Sequence, residues 1–508
     1  MPLPAPDNAL VSFSRPWWRQ PDIQLYILLM LLASIPLYYE LGRNPVQLWD
    51  ESRQAVNAAE MARNGNWLIT HFEGQPDLWN TKPPLLIWLQ AISFLLFGYS
   101  EVALRLPTAL ATTITLALLY FFAARTLRQP LAGFAGGFVL VTSVGYIRLH
   151  VARTGDYDAL LVLWQTLIWI SLFRYLETGR KRDVWLLAAG FVGAVLTKGV
   201  AGLLGVPALF LYVLYRQRLG WLLRQRILYL LILGSTLLIG GYYGVREWLA
   251  PGYLHAVMIN EVGGRFGATL SGHQHPWDYY LHDLLLTRFV PWKWFLLPVL
   301  LLVWRQPAAL VRHAVVFLAL FSISWLVVIS SSQTKLEWYD APIYPPLALL
   351  VGLSIAWLGH AIVDTYFTTS LGQRLALASL LLSLAYAPYQ TIVQQIIDER
   401  HSDYGTGTTS YIGRYLRRLH KEIPPIDSLY VIYPGGYDAR LDFYDIAYQQ
   451  QYHQKLTMVW HNTQNSLRPR NVVVVCDPAE EQQLDSLYQT LPLHSNETCH
   501  TLLIIKRR

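Results

Sequence analysis

Charge is what this sequence most lacks. Asp, Glu, Lys and Arg make up 14% of its 508 residues, whereas soluble globular chains average about 25%. With 53% hydrophobic residues and a mean hydropathy of +0.29, a water-soluble fold could not hide its apolar surface. Cysteine is scarce too. Cys476 and Cys499 are the whole complement, which excludes a disulfide-rich scaffold and leaves one pairing open if the tail is extracytoplasmic. There is no internal repeat of fixed period and no low-complexity segment. The net charge of +7 does not point to nucleic acid, because the basic residues form no single face. They cluster between apolar runs, at Arg180–Arg182, Arg216–Arg226 and Arg305–Arg312, as the Lys/Arg excess of cytoplasmic loops does.

What is abundant is long apolar sequence. Crossing a bilayer takes about 20 apolar residues, and such runs lie at 24–39, 104–124, 131–149, 158–177, 184–198, 200–215, 227–247, 291–304, 314–330, 342–360 and 375–392, with a shorter one at 83–98. The first is no secretory signal, since charged and aromatic residues precede it and no small-residue cleavage site follows. The expectation is an all-α polytopic membrane protein of about 11–13 transmembrane helices. Placing the basic loops inside puts 178–183, 216–226, 305–313 and 361–374 in the cytoplasm. Residues 40–82, 150–157, 248–290, 331–341 and the tail after 393 then lie outside. A full crossing by 83–98 would put 40–82 and 150–157 on opposite sides, so a partial crossing is the alternative.

Near residue 393 the chain turns polar. Strand-like runs at 429–433, 471–476 and 502–506, with helical pattern at 408–420 and 478–490, predict a small α/β domain. The division expected is 1–392, a transmembrane domain with an outer loop at 40–82, and 393–508, an extracytoplasmic α/β domain.

The chemistry-bearing residues gather at the outer ends of the apolar runs. Asp50 and Glu51 open a helix that stops at Asn64-Gly65-Asn66. Asp50 could be only its N-cap, yet two carboxylates at a membrane boundary are costly unless solvated or employed. Asp156 and Asp158 precede and enter the next such helix, where a carboxylate also favours the helix dipole; Asp-x-Asp can alternatively hold a divalent cation. Glu261 and Arg265, then His273 and His275, form a third group; loop histidines are commonly just solvated, though a metal would also suit them. Lys335 and Tyr339 belong to a fourth, in a loop whose aromatics could serve only as interfacial anchors. Together with Lys82, these clusters pair carboxylates that can take a proton with cations that can stabilise a phosphate leaving group. Trp67, Trp79, Trp277 and Tyr279 suit sugar faces, although interfaces collect aromatics in any case.

At these residues the chain resembles a known group. Asp-Glu after the first span, a helix ending in Gly-x-Trp, Lys82-Pro83-Pro84-Leu85, Phe97-Gly98 and Arg105-Leu106-Pro107 are similar to the bacterial aminoarabinose lipid A transferases. They are similar also to protein O-mannosyltransferases and other GT-C-type glycosyltransferases. Ala152-Arg153-Thr154 with Asp158-Ala159-Leu160-Leu161, Asn260-Glu261 with Arg265-Phe266, and Lys335-Leu336 with Tyr339 extend the match in order over residues 20–360.

The resemblance implies a polyprenyl-phosphate sugar as donor and a glycolipid, glycan or protein as acceptor, at the outer face of a bacterial inner membrane. It also implies inversion at the anomeric carbon. In its terms Asp50 is the catalytic carboxylate, Asp158 the second acidic site, and Lys82, Arg265 and Tyr339 hold the donor phosphate, with Lys335 expected beside them. Glu51, Asp156, Glu261, His273 and His275 are supporting residues. No cofactor is assigned, and a divalent cation is left open. Many relatives carry Glu where this chain has Thr81, and some carry His where it has Val262. A transporter, a lipid-linked glycan ligase or polymerase, and a membrane scaffold are the competing readings. No inverted repeat of the kind transporters often show is visible.

Overall fold

In lipid every backbone N–H and C=O must be satisfied within the segment, so apolar runs become helices. The computed structural model describes residues 20–147, 150–263, 273–366, 371–398, 408–422, 426–433, 435, 437–496 and 498–508. It begins with α1 (Pro21–Tyr38), α2 (Asp50–Asn64), a hairpin of β1 (His71–Phe72) and β2 (Gln75–Pro76), α3 (Leu85–Phe97), α4 (Glu101–Phe121), α5 (Pro130–Val141) and α6 (Asp158–Thr178). The helical body continues through α7 (Lys181–Lys198), α8 (Val206–Tyr215), α9 (Arg226–Leu249), α10 (Ala309–Ser330), α11 (Tyr344–Tyr366) and α12 (Leu371–Asp398). Among the described residues seven helices are long and apolar enough to cross a membrane: α1, α4, α6, α7, α9, α10 and α11. The chain is a multi-pass membrane protein.

Several boundaries differ from the apolar runs, for local reasons. The run at 83–98 yields only the 13 residues of α3, about 20 Å of helix at 1.5 Å per residue, against a hydrocarbon core of about 30 Å. The run at 131–149 stops at Val141, and a short turn, Val144–Ile147, follows. There Thr142 and Ser143 donate their hydroxyls back to the carbonyls of Phe138 and Val139. The run at 291–304 opens as a 3₁₀ turn, Trp292–Leu296, before it becomes α-helical.

The centre of the body is tight because small residues allow it. α5 and α11 cross so closely that a Cβ added at Gly136 would stand 3.0 Å from the Ala348 carbonyl, and one at Gly352 would strike Ala132. α6 is the most deeply enclosed of the spans and α9 the least. α2 is different in kind, amphipathic and outside the apolar runs. It ends at Gly65 in the left-handed conformation (φ 71°), as the Asn-Gly-Asn signal predicts.

After α13 (Thr408–Glu422) comes a five-stranded sheet. It contains β3 (Ser428–Tyr433), β4 (Lys455–Trp460), β5 (Val472–Val475), β6 (Tyr488–Ser495) and β7 (His500–Arg507), ordered β4-β3-β5-β7-β6. β3 runs parallel to β4 and β5, with Leu429 opposite Leu456 and Val472; β7 is antiparallel to β5 and β6. α14 (Ala439–Tyr452) and α15 (Pro478–Leu487) connect them. β4, β6 and α14 go beyond the sequence expectation, and the helix expected over 478–490 gives way to β6 at Tyr488. β6 is an edge strand whose Pro492 sits beside a register shift, the position sheets tolerate for proline. Cys476 and Cys499 form a disulfide between the end of β5 and the start of β7.

Candidate active site

Asp50 and Glu51 are adjacent and meet opposite fates. The helix begins at Asp50 itself, preceded by Trp49 at φ 76°, ψ −108°, and no side chain caps it. Asp50 is therefore not the cap that the sequence allowed. It is half-buried and no described residue bonds to its carboxylate. Glu51 is fully buried and saturated. It accepts from Arg105 Nε (2.7 Å) and Nη2 (2.8 Å), from the Gln47 N–H (2.7 Å) and from the Gly155 N–H (2.8 Å). Burial pushes its carboxyl up, but Arg105 and the two backbone donors outweigh that and hold it below the usual range. Arg105 also donates to the carbonyls of Leu41, Asn44 and Pro45. Glu51 anchors α2 to α4, and Asp50 is left available.

The loop after α2 is folded back by a second buried pair. Arg53 grips Asp77 bidentately, both contacts at 2.8 Å, and Asn57 adds a bond to the same carboxylate. Asn80 joins Asn57 to the Tyr157 hydroxyl. These bonds carry Lys82 to a place where its Nζ is 3.7 Å from Glu261 and 5.4 Å from the Tyr157 ring centre. Thr81 donates to the same Glu261 at 3.1 Å.

Lys82 then faces a cavity shared with Asp158, Lys198, Glu261 and Tyr339, whose remaining wall is largely apolar: Leu161, Leu204, Trp325 and Ile329. Lys198 Nζ lies 2.5 Å from Asp158 Oδ1 and 5.4 Å from the Tyr339 ring centre. By sequence Lys198 reads only as the end of the 184–198 run. The available signal was a lysine still inside an apolar segment, an expensive position that marks function by default. Asp156 is buried beside these, 3.0 Å from His150 Nδ1 and within reach of Gln54 (3.3 Å). His150 likewise reads by sequence only as a loop histidine. Its ring stacks on Trp338 with centroids 3.6 Å apart.

Other expected residues stand apart. Lys335 is buried but gives its ammonium to the Ser332 carbonyl at 2.6 Å. His273 is exposed and its carbonyl accepts from the Lys335 N–H, while His275 stacks on Tyr279. Among the described residues no group of three His, Cys, Asp or Glu could hold a metal ion. Arg265 lies outside the described residues. Of the aromatics expected to face sugar, Trp79 joins Phe72 and Tyr437 around the Arg53 guanidinium, and Trp49 stacks on Tyr437 at 5.2 Å. Tyr437 comes from the C-terminal segment, a contribution no sequence pattern announced.

Comparison with known proteins bears on this arrangement. A family described as dolichyl-phosphate-mannose-protein mannosyltransferase matches residues 81–240. The undecaprenyl phosphate-alpha-4-amino-4-deoxy-L-arabinose arabinosyl transferase 2 of Pseudomonas fluorescens is 30% identical over 348 residues, 66% of this chain and 57% of that one. The corresponding transferase of Pseudomonas aeruginosa is 30% identical over 346 residues, 66% and 59% of the two chains. The chain thus spans less than two thirds of these relatives. Among solved structures, ArnT from Cupriavidus metallidurans bound to undecaprenyl phosphate superposes with TM-score 0.69 at 18% identity, covering 94% of this chain and 98% of that one. The fold is the GT-C glycosyltransferase fold. Archaeal oligosaccharyltransferase AglB from Archaeoglobus fulgidus shares this GT-C fold more distantly, with TM-score 0.52 at 12% identity over 87% of this chain and 65% of that one. The resemblance to aminoarabinose transferases read from the sequence motifs holds.

Proposed function

We propose that the chain transfers a sugar from a polyprenyl-phosphate-linked donor to a glycolipid, glycan or protein acceptor on the outer face of the membrane, with inversion. The observation that carries this reading is the cavity in which Lys82, Lys198 and Tyr339 meet an apolar wall of Leu161, Leu204, Trp325 and Ile329. Lys82 supplies charge for a phosphate, Lys198 balances Asp158 in the same cavity, and the apolar side suits the first isoprene units of a lipid tail. Asp50 is the proton acceptor. The acceptor hydroxyl or amine attacks the anomeric carbon, the bond from that carbon to the phosphate oxygen breaks, and polyprenyl phosphate leaves with the electron pair. The acceptor's proton passes to Asp50. Arg265 is assigned to the donor phosphate by resemblance, and Lys335 is proposed beside it.

The similar proteins whose names specify undecaprenyl phosphate and aminoarabinose favour an undecaprenyl-class donor. The disulfide between Cys476 and Cys499 supports an extracytoplasmic C-terminal segment, because such bonds persist in oxidising compartments. We divide the chain into a transmembrane unit, 1–392, and an outer unit, 393–508. The test is incubation of the purified protein with radiolabelled polyprenyl-phosphate sugars and extracted envelope acceptors. Label transfer with release of polyprenyl phosphate is expected; transport of the intact lipid without bond cleavage would overturn the reading.

A further inference from the structure

Three carboxylates crowd the space between α2 and α6, and only two have cationic partners. Lys198, from α7, neutralises Asp158. His150 stands against Asp156, with Nδ1 3.0 Å from Oδ2. The charge that remains is that of Asp50. Resting on the transferase reading above, we propose that His150 is a positioning residue. As a fixed imidazolium it balances this carboxylate group and, through Asp156 and Gln54, holds the first turns of α2 against the start of α6.

The geometry is that of a built clamp. The His150 imidazole lies flat on the Trp338 indole, one residue before Tyr339 of the cavity, with ring planes 23° apart. Its backbone is in the left-handed region, φ 59°, a conformation that costs a non-glycine residue and persists where the surroundings enforce it. Asp156 takes a bond from Gln54 Nε2, one helical turn beyond Asp50. The clamp therefore ties together α2, the loop before α6 and the turn before α11. The charged groups facing the ring are Asp156 on its own loop, Asp50 on α2 and Asp158 on α6, the last already paired with Lys198. Arg153 of the same loop donates to the carbonyls of Pro36 and Tyr39. Burial alone would lower the imidazole, but Asp156, then Asp50 and Asp158, outweigh it and raise it to about 9. His150 is thus charged at neutral pH without any ligand.

The test compares wild type, His150→Gln and His150→Arg in the full-length purified protein, reading kcat and KM for the donor across pH. Wild-type transfer should fall above about pH 9 as the ring loses its proton. In His150→Gln that alkaline limb should disappear. Its kcat should drop by roughly 10²-fold, the scale of a 1 Å misplacement. Donor KM should change little, and His150→Arg should recover most of kcat. A wild-type profile and kcat in His150→Gln would overturn the proposal. Independently of turnover, NMR of ring-labelled histidine should show one resonance, absent from His150→Gln, titrating near pH 9 and moving toward about 6.5 in Asp156→Asn. A resonance already at the ordinary value in wild type would also overturn it. Should wild type transfer no sugar at all, the transferase reading falls, and the NMR titration still decides whether His150 is a cation.

Discussion

Asp50 and Glu51 show how little of a residue's role lies in its type. Both are carboxylates at the start of one helix, yet Glu51 has four donors and Asp50 has no described partner. Asp50→Asn preserves shape and removes basicity. It should cut turnover by about 10²–10⁴-fold, the usual range for a general base, while binding of polyprenyl phosphate, measured separately, stays intact. Glu51 makes a different prediction. Its folded value lies below the ordinary one, so its stabilisation is complete above about pH 4.3 and is lost as pH falls through the depressed value. Glu51→Gln should therefore lower the melting temperature at neutral pH and flatten its decline on acidification. The buried pair Asp158–Lys198 supplies a third case. Lys198→Met leaves an uncompensated buried carboxylate and should destabilise by about 3–5 kcal/mol. Adding Asp158→Asn should restore most of the melting temperature without restoring transfer.

At the scale of elements, α2 is held from three directions. Arg105 of α4 clamps Glu51, the loop after α2 is pinned through Arg53 and Asp77, and α14 packs along its side. α14 reaches further than that contact. Its Tyr444 hydroxyl donates to Glu101 at 2.8 Å and accepts from the Val46 N–H at 3.3 Å, and Glu101 lies one turn before Arg105. A hydroxyl in the C-terminal segment thus bears on the arginine that holds the Asp50 helix. Tyr444→Phe keeps the ring, takes from Glu101 Oε1 a donor that Arg417 at 3.4 Å only partly replaces, and leaves the buried Val46 N–H short of a partner. It should cost about 1–3 kcal/mol, read as a lower melting temperature, and should reduce turnover although Tyr444 touches no substrate. Full activity and unchanged stability would mean that the C-terminal segment rests on α2 without supporting it.

For the molecule as a whole the prediction concerns sidedness. Gln75 at the start of β2 and Asn465 in the C-terminal segment are both exposed, so each reports its compartment when replaced by cysteine in a Cys476→Ala, Cys499→Ala background. Both should label with an impermeant thiol reagent in intact spheroplasts. Labelling of either only after lysis would place that segment in the cytoplasm and move the proposed site of transfer with it. The same reagent should leave native Cys476 and Cys499 unmodified without prior reduction, since the two are bonded to each other.

Composition and order of residues determined the membrane class, most of the helices, the polar α/β tail and the positions of Asp50, Lys82, Asp158 and Tyr339 in loops or at helix starts between the apolar runs. These are properties of local sequence: apolar run length, charge placement and turn residues act within a few residues of themselves. Two things were decided only by tertiary structure. One is which carboxylate is spent on the fold, because Arg105 and the Gly155 N–H reach Glu51 from 54 and 104 residues away. The other is what completes the site: His150, Lys198 and Tyr437 look in sequence like a loop histidine, the end of a span and a tail tyrosine. Their meaning comes from charge and ring contacts made across the fold, and electrostatic pairing in a low-dielectric interior depends on distance in space, which no spacing along the chain encodes.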